Sequence, residues 1–223
     1  MRSLAISQEH ELLQKFESAG LTSEVAQKII TSKGNNLAKK VVEFLKNELK
    51  VVEKVLQFLA FLCVIKIQPV KKFTVGKFFK TGGETPLYFG NNFKNWILEN
   101  SKNLELSLET ETELRKFKLI KNAWDSEIQS DFEKKPIIPI LIFLPLLKAL
   151  IEAQPKGEAK EDGLDNSGYA NIFNVDLTEI NPKLGVVAVR VYWGGDGWDC
   201  DAFSLDCIDR WGSDYRFFSL ATS

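Results

Sequence analysis

The chain has 223 residues, 29 Lys plus Arg against 30 Asp plus Glu, one His, three Cys and 44% hydrophobic residues. That profile excludes collagen and disorder and fits one large globular domain or two small ones. The longest apolar run, 136–147, is broken by prolines and ends at Lys148, well short of the roughly 18 residues a membrane helix needs.

Residues 1–10 are charged and lack an apolar signal core, so a soluble, cytoplasmic protein is the default expectation. Three Cys, Cys63, Cys200 and Cys207, make no disulfide framework. His10 lies in a polar N-terminal stretch, so Ser-His-Asp and Cys-His catalysis have no carrier. A zinc site would need scattered Cys and carboxylates, and neither GxxxxGK[ST] nor GxGxxG occurs. Neither a metal nor a cofactor is expected.

Charge and residue choice shift along the chain. Through Gly157 there are 24 basic and 18 acidic residues, and beyond it 5 basic and 12 acidic. The acids change from Glu, which suits helices, to Asp, which suits turns. The expected fold is therefore α+β: a helical region over 1–64, then a mixed domain over 65–223.

In chain order, Leu12, Leu13 and Phe16 form a short apolar face ended by Gly20. Thr22 caps a segment that turns Val25, Ile29 and Ile30 inward. Leu37, Val41, Phe44, Leu45, Val52, Val55, Leu56 and Leu59 recur at helical spacing and predict a long amphipathic helix or two abutting ones. Ile65 and Ile67, then Phe73 and Val75, alternate as in strands on either side of Pro69. Phe93–Asn100 reads as a helix capped by Asn91 or Asn92, and Leu104, Leu106 and Leu108 as a half-buried strand. Ile137–Phe143 suits an interior strand, with Pro145 opening a helix over Leu146–Ala153. Residues 154–167 form a polar loop that should be solvent-exposed.

The last third reads as strands Tyr169–Val175, Val186–Trp193 and Trp198–Leu205, with Trp193, Trp198 and Trp211 as a scaffold of large aromatics. Residues 184–223 contain no Lys, Glu or Gln, although the whole chain has 24, 19 and 7 of them. A compact β region avoids long flexible side chains, which explains only part of that deficit.

Three stretches, Gln154-Pro155-Lys156-Gly157-Glu158, Gly168-Tyr169-Ala170-Asn171-Ile172-Phe173 and Val189-Arg190-Val191-Tyr192-Trp193-Gly194-Gly195-Asp196-Gly197-Trp198, are joined by Phe217-Phe218-Ser219 near the end. With Gly90-Asn91-Asn92-Phe93-Lys94 and Ala19-Gly20-Leu21-Thr22, they resemble a group of proteins from uncultivated small-genome bacteria. The C-terminal part is similar to the variable regions of target proteins of diversity-generating retroelements. Lys156, Phe218-Ser219-Leu220 and the end of the chain depart from the usual forms.

The resemblance implies a C-type-lectin-like fold for the C-terminal part and a hypervariable segment over 186–219. In such segments template adenines are replaced, so Asn codons become other codons ending in a pyrimidine. These codons cannot encode Lys, Glu, Gln, Trp or Met. The implied variable positions are Arg190, Tyr192, Gly194, Asp199, Asp201, Phe203, Cys207, Asp209, Gly212 and Tyr215, and none is of a forbidden type.

The implied function is binding: Tyr, Phe, Arg, Asp and Gly on a rigid scaffold are the residues of a recognition surface. The partner would be an unknown macromolecular or cell-surface ligand. Nucleic acid is disfavoured at the acidic C-terminal third, which would repel phosphate. An enzyme is not expected. The alternatives are a carboxylate-dependent, glycosidase-like hydrolase drawing on Asp196, Asp199, Asp201, Asp206, Asp209 and Asp214, or a structural or regulatory interaction protein.

Overall fold

The computed structural model describes residues 22–31, 39, 40, 43, 58–83, 85–132, 136–205 and 210–221. The chain divides into two units, Met1–Leu56 and Gln57–Ser223. In the first, α1 (Ser23–Ile30) begins where Thr22 was expected to cap it. Of the expected long amphipathic helix, residues 39, 40 and 43 are helical, Leu59 belongs to a strand, and Leu37, Val41, Phe44, Leu45, Val52, Val55 and Leu56 lie outside the described residues.

The second unit is mixed α and β, mostly sheet. Its elements are β1 (Leu59–Ile67), β2 (Val70–Thr74), α2 (Val75–Phe78), β3 (Leu87–Phe89), a π-helical turn Phe93–Leu98 running into α3 (Glu99–Ser101), β4 (Glu105–Leu108) and β5 (Thr112–Leu119). Then come α4 (Asp125–Ser130), β6 (Ile137–Pro139), α5 (Ile140–Glu152), β7 (Asn171–Asp176), β8 (Val186–Trp193), β9 (Trp198–Ser204) and β10 (Arg216–Leu220). An 8-stranded sheet runs β1-β5-β10-β7-β8-β9-β3, with β6 also paired to β7, and β2-β4 form a separate ladder. The pairs β10/β7, β6/β7 and β3/β9 are parallel; the others are antiparallel. Among the described residues no helix is long and apolar enough to cross a membrane.

Each face of the sheet holds its own core. On one, α5 lays Phe143 against Phe173, ring centroids 5.3 Å apart, over Val187, Val189, Val191, Trp198, Cys200 and Phe218. On the other, α4 brings Ile128 to Leu119, Ile172, Ala188, Trp211 and Phe217.

Four expectations are corrected. The helical reading at Leu59 fails because Leu59–Ile67 pairs along β5, and cross-strand bonding overrides the helix propensity of Leu and Ala. The run from Ile137 is a strand only through Pro139 and turns helical at Ile140. Pro145 accordingly sits inside α5 rather than opening a helix. Its missing N–H removes one bond, offset by the burial of Phe143, Leu144, Leu146 and Leu147 around it.

The loop at 154–167 is not simply solvated, because Gln154, Gly163 and Leu164 are buried. Gln154 pins it: its Nε2 donates to the carbonyls of Glu158 (2.6 Å) and Leu164 (3.0 Å), and its Oε1 accepts from the Leu164 N–H (2.7 Å). Lys116 reaches across from β5 and donates to the carbonyls of Gly163 (2.7 Å) and Glu161 (3.1 Å). Burial holds this ammonium below the ordinary lysine range.

Candidate functional site

The candidate positions are brought together by strand alternation. In the β8/β9 ladder Arg190 pairs with Asp201, Tyr192 with Asp199 and Ala188 with Phe203. Side chains alternate between faces, so Arg190, Tyr192, Asp199, Asp201 and Phe203 all project from the α4 side. Their neighbours Val189, Val191, Trp198, Cys200 and Ala202 are sealed on the α5 side. The five candidates are half-buried, neither locked in the core nor fully exposed.

Within this cluster the Arg190 guanidinium lies 5.2 Å from the Tyr192 ring centroid and 5.0 Å from that of Phe203. Such stacking orients the cation without neutralising it. The Tyr192 hydroxyl donates to Asp199 Oδ2 at 3.1 Å. Desolvation first, and then the Asp199 charge and hydrogen bond, push the Tyr192 phenol above its ordinary range. Asp201 accepts the Ala202 N–H at 2.8 Å and packs so closely on Gly90 that a Cβ there would lie 2.2 Å from its carboxyl carbon.

An aromatic chain continues from Phe203. Its ring meets Trp211 edge-on at 6.1 Å, Trp211 lies 6.3 Å from Tyr215, and Tyr215 lies 6.4 Å from Tyr169. Gly212 is half-buried beside the Tyr215 ring. Gly194 stands apart from this patch, exposed in the β8–β9 turn, where its N–H donates to the Gly197 carbonyl at 2.8 Å. Cys207 and Asp209 lie outside the described residues.

The three Trp divide the scaffold work. Trp198 is wholly buried and its Nε1 donates to the Gln154 carbonyl at 2.8 Å. Trp211 donates to Asp125 Oδ1 at 2.8 Å, tying the chain after β9 to α4. Trp193 is half-buried over Gly157, where φ is +63° and a Cβ would lie 2.3 Å from the indole. Only Gly accepts both that dihedral and that approach without strain.

The carboxylates do not assemble as one cluster. Asp196 accepts from the Tyr88 hydroxyl at 3.3 Å, and Asp214 pairs with Lys118 at 2.5 Å on the strand next to β1. Asp206 and Asp209 lie outside the described residues. Among the described residues no group of three or more His, Cys, Asp or Glu is placed to hold a metal ion. Cys200 is sealed, and burial pushes its thiol far above the ordinary range, which suits packing rather than nucleophilic attack.

Sequence reading missed Asn171 and Asn174 in β7. Asn171 is buried and bonds Asp165 and the Val191 carbonyl (3.0 Å), while Asn174 is buried with its amide unbonded. Two Asn among the apolar residues Ile172, Phe173 and Val175 of β7 were the available signal, since buried amides require partners. No family model, no curated protein and no solved structure matches the chain.

Proposed function

We propose that the chain is a binding protein whose α4-side surface of β8 and β9, continued by Trp211 and Tyr215, recognises a target. The observation that carries this reading is the division of labour along two strands. Arg190, Tyr192, Asp199, Asp201 and Phe203 form one contiguous half-buried patch, while every residue between the paired candidates on the same strands is packed on the other face. Such an arrangement lets the patch change without disturbing the core beneath it. Stacked rings and a cation without an acidic partner among the described residues supply rigid contact area and adaptable polar contacts.

On this reading the patch is the current state of a hypervariable segment over 186–219, on a C-type-lectin-like scaffold diversified by a retroelement. The test is to randomise positions 190, 192, 199, 201, 203 and 215 with pyrimidine-ending codons and measure folding by circular dichroism. Retention of a cooperative transition in most variants is expected. Collapse of most variants would overturn the reading. An adenine-rich near-copy of codons 186–219 beside a reverse-transcriptase gene would establish the mechanism.

A further inference from the structure

Asn174 and Arg190 are diagonal neighbours on the α4-side face: Asn174 pairs with Ala188, and Arg190 lies two residues further along β8. Asn174 is fully buried, and neither its Nδ2 nor its Oδ1 has a hydrogen-bond partner among the described residues. Arg190 Nε is also buried and without one. Unbonded buried amides are rare because desolvation is not repaid. Other buried polar side chains among the described residues have partners: Gln154 and Asn171 use both amide atoms, and Lys116 donates to two carbonyls.

Asn174 also stands at an interruption of the sheet. Along one edge of β7, β10 pairs with Asn171–Phe173 and β6 takes over at Asn174. The amide therefore projects where one parallel neighbour gives way to another.

The unused capacity defines its complement. Asn174 offers an acceptor and a donor pair, and Arg190 Nε offers one donor. A carboxylate would meet the donors but face the Asn174 oxygen acceptor to acceptor, with Asp199 and Asp201 on the same face adding like charge. A neutral amide satisfies both: its carbonyl takes the donors and its N–H meets Asn174 Oδ1. We propose that Asn174 and Arg190 form a subsite for a neutral carboxamide, supplied by a free small amide or by an Asn or Gln side chain of a target.

The Arg190 side chain has no ion pair among the described residues and is held by stacking on Tyr192 and Phe203. Asn174 lies on β7, outside the 186–219 segment, so it is a fixed contact beneath a face free to vary. Only the identity of the donor of the amide rests on the binding reading; the subsite does not.

The experiment is an NMR titration of the full chain, following the Asn174 side-chain NH2 and Arg190 Nε–H signals with acetamide, acetate and N-acetylglutamine methylamide. Saturable shifts with acetamide, with a dissociation constant on the order of 10 mM for so small a ligand, are expected, with acetate at least several-fold weaker. A tighter glutamine derivative identifies a side chain as the source; equal or weaker binding identifies a free amide. Asn174→Leu, or Asn174→Ala should Leu not fold, abolishes the shifts and leaves the melting temperature unchanged or higher, because no bond is lost. Silence with both amides, equal binding of acetate, or a marked drop in melting temperature in both variants, the mark of a resident water or an internal bond, overturns the proposal. Because no target is needed, failure here leaves the codon-randomisation result standing, and the reverse also holds.

Discussion

The two faces of β8 and β9 are made from the same fifteen or so residues of chain, yet they obey different rules. On the α5 side Val187, Val189, Val191, Trp198, Cys200 and Ala202 are at most 1% exposed, and Trp198 is further fixed by its bond to the Gln154 carbonyl. On the α4 side the candidate residues touch one another and the aromatic chain but are not closed over. One face is dictated by shape. The other is constrained only locally, and this is the condition under which a surface can vary while the fold persists.

The largest test of this contrast is Trp198→Ala. It empties a fully buried site and removes one of the two donors to the Gln154 carbonyl, which the Gly157 N–H also reaches, so a loss of about 3–5 kcal/mol is expected in denaturant unfolding. A loss below about 1 kcal/mol would show that the α5 face is not the rigid one.

A smaller effect is expected at Lys116→Met, which keeps the apolar stem but removes the donor shared by Glu161 and Gly163. The expected cost is about 1–3 kcal/mol, with faster proteolysis in 157–165 than in the parent. Unchanged proteolysis would mean that Gln154 alone secures the segment.

Smaller still, Arg190→Ala, Asp199→Asn and Asp201→Asn should each fall within about ±0.5 kcal/mol by thermal denaturation. Losses above about 2 kcal/mol at two of them would make these residues structural and erase the contrast between the faces. A marked gain at both Asp would favour a catalytic pair of carboxylates instead.

The finest probe is the titration of Tyr192. Its folded-state phenol binds its proton more tightly than in the unfolded chain, so its contribution to stability is present below the unfolded value near 10 and fades as pH rises through the folded value. Difference absorbance between the parent and Tyr192→Phe should place the Tyr192 midpoint above that of a free phenol. Asp199→Asn should move it down, since the carboxylate is a secondary cause after burial.

What the sequence disclosed follows from the same physics. β8 emerges with its bounds intact because Val187, Val189 and Val191 alternate without exception between turn residues. β5 was missed because Lys116 follows Leu114 on the same buried face, and a lysine where an apolar residue would be expected disguises the alternation. The start of α5 was missed because the helix is apolar on nearly every side and has no polar stripe to reveal a helical period. For the site, alternation was enough to group Arg190, Tyr192, Asp199, Asp201 and Phe203. The β7 contribution was not legible, because Asn174 becomes conspicuous only when its neighbours are known.

The position of β10 bears on how such a protein is made. It follows every other described strand but lies inside the sheet, between β5 and β7. During synthesis the β1–β5 pair and the β7–β8–β9 meander must therefore wait, each with an open edge, until residues 216–220 leave the ribosome. A stop codon or frameshift in 205–215 leaves two half-sheets without the strand that joins them. Copies cut short before β10 lack the strand that joins the two half-sheets, so folding itself discriminates against them.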